Sequence, residues 1–476
     1  MRLAQVFITI AIAVAQSSPS TVEERIRAVE TGLIPAVVLK GRPVPRYALE
    51  ERMKALHVRG VSIAVIRNYE IDWAKGYGFA DLESRRAVTA ETLFQAGSIS
   101  KPVAAVGAMT LVEQGKLKLD DDVNSYLKEW KVPENEFTKQ QKVTLRRLLS
   151  HTAGLTVHGF PGYEAGTRVP TTVEVLDGKK PANTAAIRVD ILPGTQYRYS
   201  GGGYTVAQLM IGEATGRSFA EFMRQAVLEK AGMRQSTYEQ PLPARLAGVA
   251  ASGYRRNGDA VPGKYHTYPE MAAAGLWTTA SDLARFAIEI QKSREGRSNK
   301  ILKQATVEEM LREQKQGYGL GFGLSVRNGT KEFGHGGADE GFQALLSATV
   351  DGRGFVVMAN SDNGQRLANE IALAIAAAYG WPDKPRERGA ISLSAENLAK
   401  FAGEYEAGRI GLVRFRVVDD HLVISIPEQG EMALYPETAD VFFSLERGVP
   451  DLKFSRDEAG TITGFTAANV TAKRVK

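Results

Sequence analysis

The feature that most limits the fold is a segment from residue 99 to residue 115 that is apolar nearly all the way round a helix. Pro102 lies in its first turn, where a missing backbone N–H does no harm, and Gly115 is typical of a helix end. A helix with apolar residues on every side must be surrounded by other elements. The sequence therefore predicts a buried central helix in a large domain, and a chain of 476 residues can provide one.

Strands and helices are predicted on both sides of this helix. Apolar runs at residues 61–66 and 73–79, separated by a polar turn, predict a buried hairpin. Further strands are predicted at residues 331–335, 342–350 and 354–360, and further helices at 143–150, 203–215, 218–231 and 365–379. Residues 156–198 are rich in Gly, Pro and Thr, and such long irregular segments often form the walls of binding sites.

The pattern changes near the C-terminus. Residues 381–390 (WPDKPRERGA) are rich in proline and charge, which is typical of a linker. The following segments, such as LVRFRVV and HLVISI, alternate between apolar and polar residues or run apolar. We therefore expect a catalytic domain over residues 20–380 and a small antiparallel β domain over residues 391–476.

The N-terminus has the pattern of a signal peptide. Arg2 is followed by a mostly apolar stretch from Leu3 to Ala15 that ends in a small-x-small sequence. The stretch is shorter than the about 20 residues that a membrane-spanning helix needs. We predict that residues 1–15 are removed and that the protein is periplasmic or secreted; a buried N-terminal helix is the alternative.

Composition excludes several classes of function. The chain has 60 basic and 54 acidic residues, a net charge of +6, and these charges are scattered rather than gathered in a stripe. We therefore expect no nucleic-acid partner. The absence of cysteine excludes disulfides, thiolate zinc sites and cysteine nucleophiles.

The start of the buried helix carries a Ser-x-x-Lys pattern, in which Ser98 is followed by Lys101 on the same helix face. A helix N-terminus offers free N–H groups and a partial positive charge, which stabilise an oxyanion. A serine hydroxyl needs an adjacent base, and lysine can serve only if its pKa falls from about 10.4. On its own, this pattern also fits an ordinary helix start.

Two later stretches complete a larger pattern, Tyr197-Arg198-Tyr199-Ser200-Gly201 and Gly334-His335-Gly336-Gly337-Ala338. In order and spacing, the three motifs resemble those of the serine β-lactamase and penicillin-binding-protein-like family, in particular the class C β-lactamase-related hydrolases, D-aminopeptidases and family VIII carboxylesterases. Framework sequences at residues 148–155 (LLSHTAGL) and 274–283 (AGLWTTASDL) support the resemblance, which covers residues 45–380.

The resemblance implies an α+β fold. It consists of an antiparallel sheet flanked by helices, with a helical subdomain and the active serine in the cleft between them. The C-terminal β domain is similar to the lipocalin-like barrels that some members carry. The resemblance also implies a small-molecule or peptide substrate and no cofactor. No His-Glu-x-x-His pair is present in the sequence, so we expect no metal site.

Catalytic roles follow from the same resemblance. Ser98 is expected to be the nucleophile and Lys101 to take or relay its proton. Tyr199 is expected to be the second acid/base, with its phenolate favoured by the charge of Lys101 and, if protonated, of His335. The backbone N–H groups of Ser98 and Ala338 are expected to form the oxyanion hole.

Further residues are expected to bind substrate. His335 stands where many members have lysine, so it would face a substrate carboxylate or tune Tyr199. Gly336 and Gly337 would let the substrate lie close along the strand. His151, in the first framework sequence, is interpreted as structural.

The chain departs from the family pattern at Gly201, where the second motif has asparagine. The asparagine hydrogen-bonds the substrate amide, and Gly201 has no side chain to do so. We therefore expect weak β-lactam hydrolysis, and expect Gly201→Asn to raise it unless a side chain from residues 156–183 substitutes.

Three functions remain open from the sequence. The first is a serine hydrolase acting on β-lactams or peptide-like amides through an acyl-enzyme. The second is a carboxylesterase with the same residues, and the third is a penicillin-binding sensor or scaffold that acylates without turnover.

Overall fold

The structure is a computed structural model that describes residues 21–427, 430–446 and 449–475. The predicted signal peptide, residues 1–15, lies outside the described residues. None of the helices in these three ranges is long and apolar enough to cross a membrane.

Before the C-terminal region the chain forms a large antiparallel sheet, which in the described residues has the strand order β4-β3-β2-β10-β9-β8-β7. Two small two-stranded sheets, β1 with β11 and β5 with β6, lie beside it. The strands are β1 (Val37–Leu39), β2 (Gly60–Arg67), β3 (Glu70–Asp81), β4 (Arg86–Ala87), β5 (Phe94–Gln95), β6 (Trp277–Thr278), β7 (Gly323–Arg327), β8 (Thr330–Asp339), β9 (Phe342–Thr349), β10 (Gly354–Ala359) and β11 (Arg386–Arg388).

Helices cover both faces of the large sheet. The helices of the described residues that precede the C-terminal region are α1 (Val22–Glu30), α2 (Leu49–Ala55), α3 (Ser100–Glu113), α4 (Glu136–Gln140), α5 (Leu145–Leu149), α6 (Thr172–Asp177), α7 (Gly201–Thr215), α8 (Phe219–Met223), α9 (Glu229–Ala231), α10 (Met271–Ala274), α11 (Ala280–Arg294), α12 (Gln304–Met310) and α13 (Gly364–Tyr379). A further helix, α14 (Ala395–Ala399), packs in the C-terminal core instead. The predicted α+β class is confirmed.

The central helix is buried as predicted. Twelve consecutive residues of α3, from Ser100 to Leu111, are buried, and the core around them extends to the sheet face that carries Phe333 and Leu346. Gly115 follows the helix end with φ +69°, the left-handed conformation that glycine adopts without strain. The opposite sheet face packs on α1 and α13, so the sheet separates two apolar cores.

The predicted C-terminal β domain is confirmed as a closed barrel, formed in the described residues by eight strands, β12 to β19. These strands are β12 (Gly403–Glu406), β13 (Leu412–Val418), β14 (His421–Ile426), β15 (Gly430–Pro436), β16 (Val441–Ser444), β17 (Leu452–Arg456), β18 (Ile462–Ala467) and β19 (Val470–Arg474). Its interior is filled by aromatic side chains: Phe454 lies with its ring centroid 4.8 Å from that of Phe401 and 5.3 Å from that of Phe415.

Candidate active site

The turn that carries Ser98 crosses strand β8 so closely that both need glycine. Gly97, in the short 3-10 turn before α3, has φ +51°, and a Cβ there would lie 2.4 Å from the nitrogen of Ala338. A Cβ on Gly337 would lie 1.9 Å from the carbonyl oxygen of Ala96. The two backbones therefore fit together only without side chains, and this contact places Ser98 beside the amide of Ala338.

Lys101 is aimed at the Ser98 hydroxyl. Its Nζ donates a hydrogen bond of 2.8 Å to Ser98 Oγ and another of 2.8 Å to the carbonyl oxygen of Ala273. Lys101 is 2% exposed, and no carboxylate of the described residues lies within ion-pair distance of it. Burial lowers the pKa of Lys101 to about 7, although the charge of Asp339 opposes this shift. A large fraction of Lys101 is thus neutral near pH 7 and able to accept a proton.

The ring of Tyr199 lies next to the amino group of Lys101. The Lys101 Nζ is 4.9 Å from the centre of its ring. Burial raises the pKa of Tyr199, and the neighbouring Ser98 hydroxyl only partly opposes the shift. The expectation of a phenolate was therefore wrong, because the loss of hydration on burial outweighs the attraction of Lys101. Tyr199 carries a neutral hydroxyl, which is a proton donor.

His335 is also neutral. Burial and the charge of Lys101 lower the pKa of His335 to about 4, so it does not supply the cation that the sequence suggested for a substrate carboxylate. Its Nδ1 contacts the carbonyl oxygen of Gly336, which can only accept, so Nδ1 carries the proton. The unprotonated Nε2 lies 3.0 Å from the Tyr318 hydroxyl and 3.5 Å from that of Tyr199.

His151, which we interpreted from the sequence as structural, packs against the ring of Tyr199. Their ring centroids are 4.2 Å apart, and His151 Nδ1 accepts a 3.0 Å hydrogen bond from the backbone N–H of Ser200. Burial holds the pKa of His151 well below its usual range. A neutral imidazole thus fixes the position of Tyr199. Sequence reasoning missed this contact because the two residues lie far apart in the chain.

A loop fills the space beside Gly201 in which a side chain at this position would lie. A Cβ on Gly201 would lie 2.9 Å from Cε2 of Phe160 and 3.1 Å from the carbonyl oxygen of His158. These contacts argue against the expectation that Gly201→Asn raises β-lactam turnover, because an asparagine side chain there would have to displace Phe160 and the loop backbone. The segment around Phe160 belongs to the irregular region that the sequence identified as a possible binding wall.

Two buried carboxyl groups lie behind the site, and sequence reasoning found neither. Asp339 ends strand β8, Glu270 precedes α10, and the oxygens of both side chains are buried without hydrogen-bond partners in the described structure. Burial raises the pKa of Glu270 to about 8 and that of Asp339 well above its usual range. Both carboxyl groups therefore hold their protons more strongly than exposed carboxyl groups do.

Comparisons with known proteins identify the family of the chain. The family model described as Beta-lactamase matches residues 46–380. A beta-lactamase of Pseudomonas fluorescens is 29% identical over 52% of this chain and 63% of its own length, so the chain spans just under two thirds of that relative. Esterase EstB of Burkholderia gladioli is 28% identical over 42% of this chain and 52% of its own length.

A solved structure shares the fold. The octameric penicillin-binding protein homologue from Pyrococcus abyssi superposes with a TM-score of 0.63 at 24% identity, over 89% of this chain and 98% of that one. The predicted resemblance is confirmed: the chain belongs to the beta-lactamase family of serine β-lactamase and penicillin-binding-protein-like proteins.

Proposed function

We propose that this protein is an exported serine hydrolase that cleaves β-lactams or peptide-like amides through an acyl-enzyme on Ser98. The observation that carries the proposal is the 2.8 Å hydrogen bond from a buried Lys101 Nζ to Ser98 Oγ. A buried lysine with a pKa near 7 is a base suited to neutral pH, and in its neutral form Nζ can accept the Ser98 proton across the same 2.8 Å contact.

Acylation follows from these positions. Neutral Lys101 takes the proton from Ser98 as Oγ attacks the substrate carbonyl carbon. The negative charge that develops on the carbonyl oxygen is stabilised by the backbone N–H groups of Ser98 and Ala338, which the glycine contact at residues 97 and 337 holds side by side. Tyr199, neutral and next to Ser98, donates its proton to the leaving nitrogen and recovers one from Lys101.

Deacylation uses the same groups in reverse. Lys101 is neutral again once a proton has left the site with the leaving group, so it can act as a base through the Tyr199 hydroxyl. A water molecule then attacks the acyl carbonyl, and its proton passes by this route while Ser98 Oγ leaves and is reprotonated.

Substrate binding is assigned to strand β8. Gly336 is exposed, and Gly337 lies against the Ser98 turn, so a substrate backbone can lie along this strand next to the nucleophile. His335 contributes a neutral imidazole, whose Nε2 lies 3.0 Å from the Tyr318 hydroxyl and 3.5 Å from that of Tyr199, and not a cation that would attract an anion.

A carboxylesterase activity is the second candidate, and the lack of a side chain at Gly201 favours it. The side chain that holds a substrate amide in the family is missing, and an ester does not need that contact. The similarity to an esterase supports the same alternative.

Turnover of a chromogenic cephalosporin and of a short-chain p-nitrophenyl ester, each compared with Ser98→Ala, tests the proposal. Hydrolysis of the cephalosporin that depends on Ser98 supports the amide assignment. Turnover of the ester alone supports the carboxylesterase. One covalent adduct without turnover of either substrate would instead indicate a sensor, and would contradict both hydrolase assignments.

Export rests on the N-terminal sequence pattern. We expect the mature protein to begin at Gln16. Intact mass of the protein from a periplasmic or culture fraction tests this, and a mass that includes residues 1–15 would contradict it.

A further inference from the structure

The segment of residues 156–160 is held across the start of helix α7 by its backbone. The N–H of Gly201 donates 3.0 Å to the carbonyl oxygen of His158, and the N–H of Gly202 donates 3.1 Å to that of Val157. The Ser200 hydroxyl donates 2.8 Å to the carbonyl oxygen of Thr156. The loop can lie this close only because α7 begins with glycine. The absence of the motif asparagine at Gly201 therefore makes the position of the loop possible.

The same contacts bring a new side chain to the site. The His158 ring lies with its centroid 4.9 Å from that of Tyr199, tilted by 43°. His158 is exposed, whereas His151 under the same tyrosine is buried. Neither ring nitrogen of His158 has a hydrogen-bond partner in the part of the chain that the structure describes, so both are available to a bound substrate.

We propose that His158 replaces the motif asparagine as the group that recognises the substrate, and that it selects substrates with an amide next to the scissile carbonyl. This inference rests on the proposed function of Ser98. The two ring nitrogens of an imidazole can form hydrogen bonds to an amide, as the nitrogen and oxygen of a carboxamide do. His158 is therefore a specificity-determining residue, brought to the cleft by the loop that displaces the asparagine.

Two esters of the same length and leaving group separate this role from catalysis. p-Nitrophenyl N-acetylglycinate carries an amide beside the scissile bond, and p-nitrophenyl pentanoate has methylene groups in its place. We expect His158→Ala to lower kcat/KM for the acetylglycinate about tenfold, the value of one hydrogen bond to substrate, and to leave the pentanoate within about twofold. His158→Asn should retain most of the acetylglycinate activity, because asparagine also offers a donor and an acceptor.

His57→Asn is the matched control. This residue is another exposed histidine, two residues after the end of α2, and its φ of +54° is one that asparagine tolerates. An equal loss on both esters in His158→Ala, or no loss on either, would overturn the inference. Failure of the proposed function would look different, since hydrolysis would then persist in Ser98→Ala.

Discussion

Lys101 is the residue on which the proposed chemistry depends. Its ammonium is buried, has hydrogen bonds to Ser98 and Ala273, and lacks an ion-pair partner in the described ranges. The loss of hydration is larger than the stabilisation that Asp339 provides, so the net effect is a lowered pKa. The site gains a base near neutral pH by burying a lysine rather than by placing another cation beside it.

The first prediction concerns the pH dependence of acylation. Protonated Lys101 cannot accept the Ser98 proton, so the rate of reaction with a fluorophosphonate should fall about tenfold for each pH unit below about 7 and level off above it. His335→Gln should leave the midpoint in place, because the pKa of His335 is about 4 and it does not titrate in this range. A midpoint near 4 in the wild type, or one that moves in His335→Gln, would contradict this assignment.

The second prediction concerns Gly201. Gly201→Asn should destabilise the protein by about 1 to 3 kcal/mol, because its Cβ meets Phe160 and the backbone of His158, and it should not raise cephalosporin turnover. Thermal unfolding and kinetics check both parts. Phe160→Ala in the same chain removes the nearest of these contacts and should recover part of the stability. A stable single variant with higher turnover would refute the steric argument.

At the scale of elements, the site is made where β8, the Ser98 turn and the start of α7 meet. The turn and the buried helix could be predicted from sequence because their signals are local: an apolar run, a proline in the first turn and a glycine after the end. Tyr199 and His335 could be identified only through the resemblance, since neither lies in a pattern with a physical meaning of its own.

Other features could not be predicted because they arise from contacts between distant parts of the chain. The ionisation of Tyr199 depends on burial by His151 and other rings that no local pattern places there. His158 reaches the cleft only because α7 begins with glycines against which its loop can lie. Glu270 and Asp339 appear in the sequence as ordinary acidic residues, and only the packing shows that they are buried.

The third prediction concerns Glu270, which lies just before α10. Its pKa is about 8 in the folded protein and about 4.3 in an unfolded chain. Between these values the unfolded chain releases a proton that the folded protein keeps. Stability is therefore lost as pH rises, by about 1.4 kcal/mol for each unit. Glu270→Gln removes this contribution.

Chemical denaturation at several pH values between about 5 and about 8 measures the difference. The stability of Glu270→Gln relative to wild type should increase with pH across this range. The exposed Glu129→Gln is the control, and its difference from wild type should not change with pH. A constant difference for Glu270→Gln would show that Glu270 is ionised in the folded state.

At the scale of the whole molecule, strand β11 connects the barrel to the part of the chain that carries the candidate site. Strand β11 pairs in parallel with β1, and Arg388 in β11 forms ion pairs with Glu437 and Asp451 of the barrel. The barrel nevertheless has its own aromatic core, separate from the two cores beside the large sheet. The two parts can therefore differ in stability while remaining docked.

The fourth prediction follows from these separate cores. Phe454 is 3% exposed and lies among the aromatic side chains of the barrel. Phe454→Ala should destabilise the barrel by about 3 to 5 kcal/mol. The rate of Ser98 acylation at a temperature below the barrel transition should stay within about twofold of wild type. Calorimetry and fluorophosphonate kinetics check the two parts, and an equal loss in both would show that the barrel supports the site.

The central claim is that Ser98 is the nucleophile and Lys101 its base. The most direct test is peptide mapping by mass spectrometry after reaction with a fluorophosphonate, for wild type, Ser98→Ala and Lys101→Gln. The account predicts one adduct on Ser98 in the wild type and no adduct in Ser98→Ala. It also predicts at least about a hundredfold slower labelling in Lys101→Gln, the range expected for loss of a general base. An adduct on another residue, or labelling of Lys101→Gln at the wild-type rate, would contradict it.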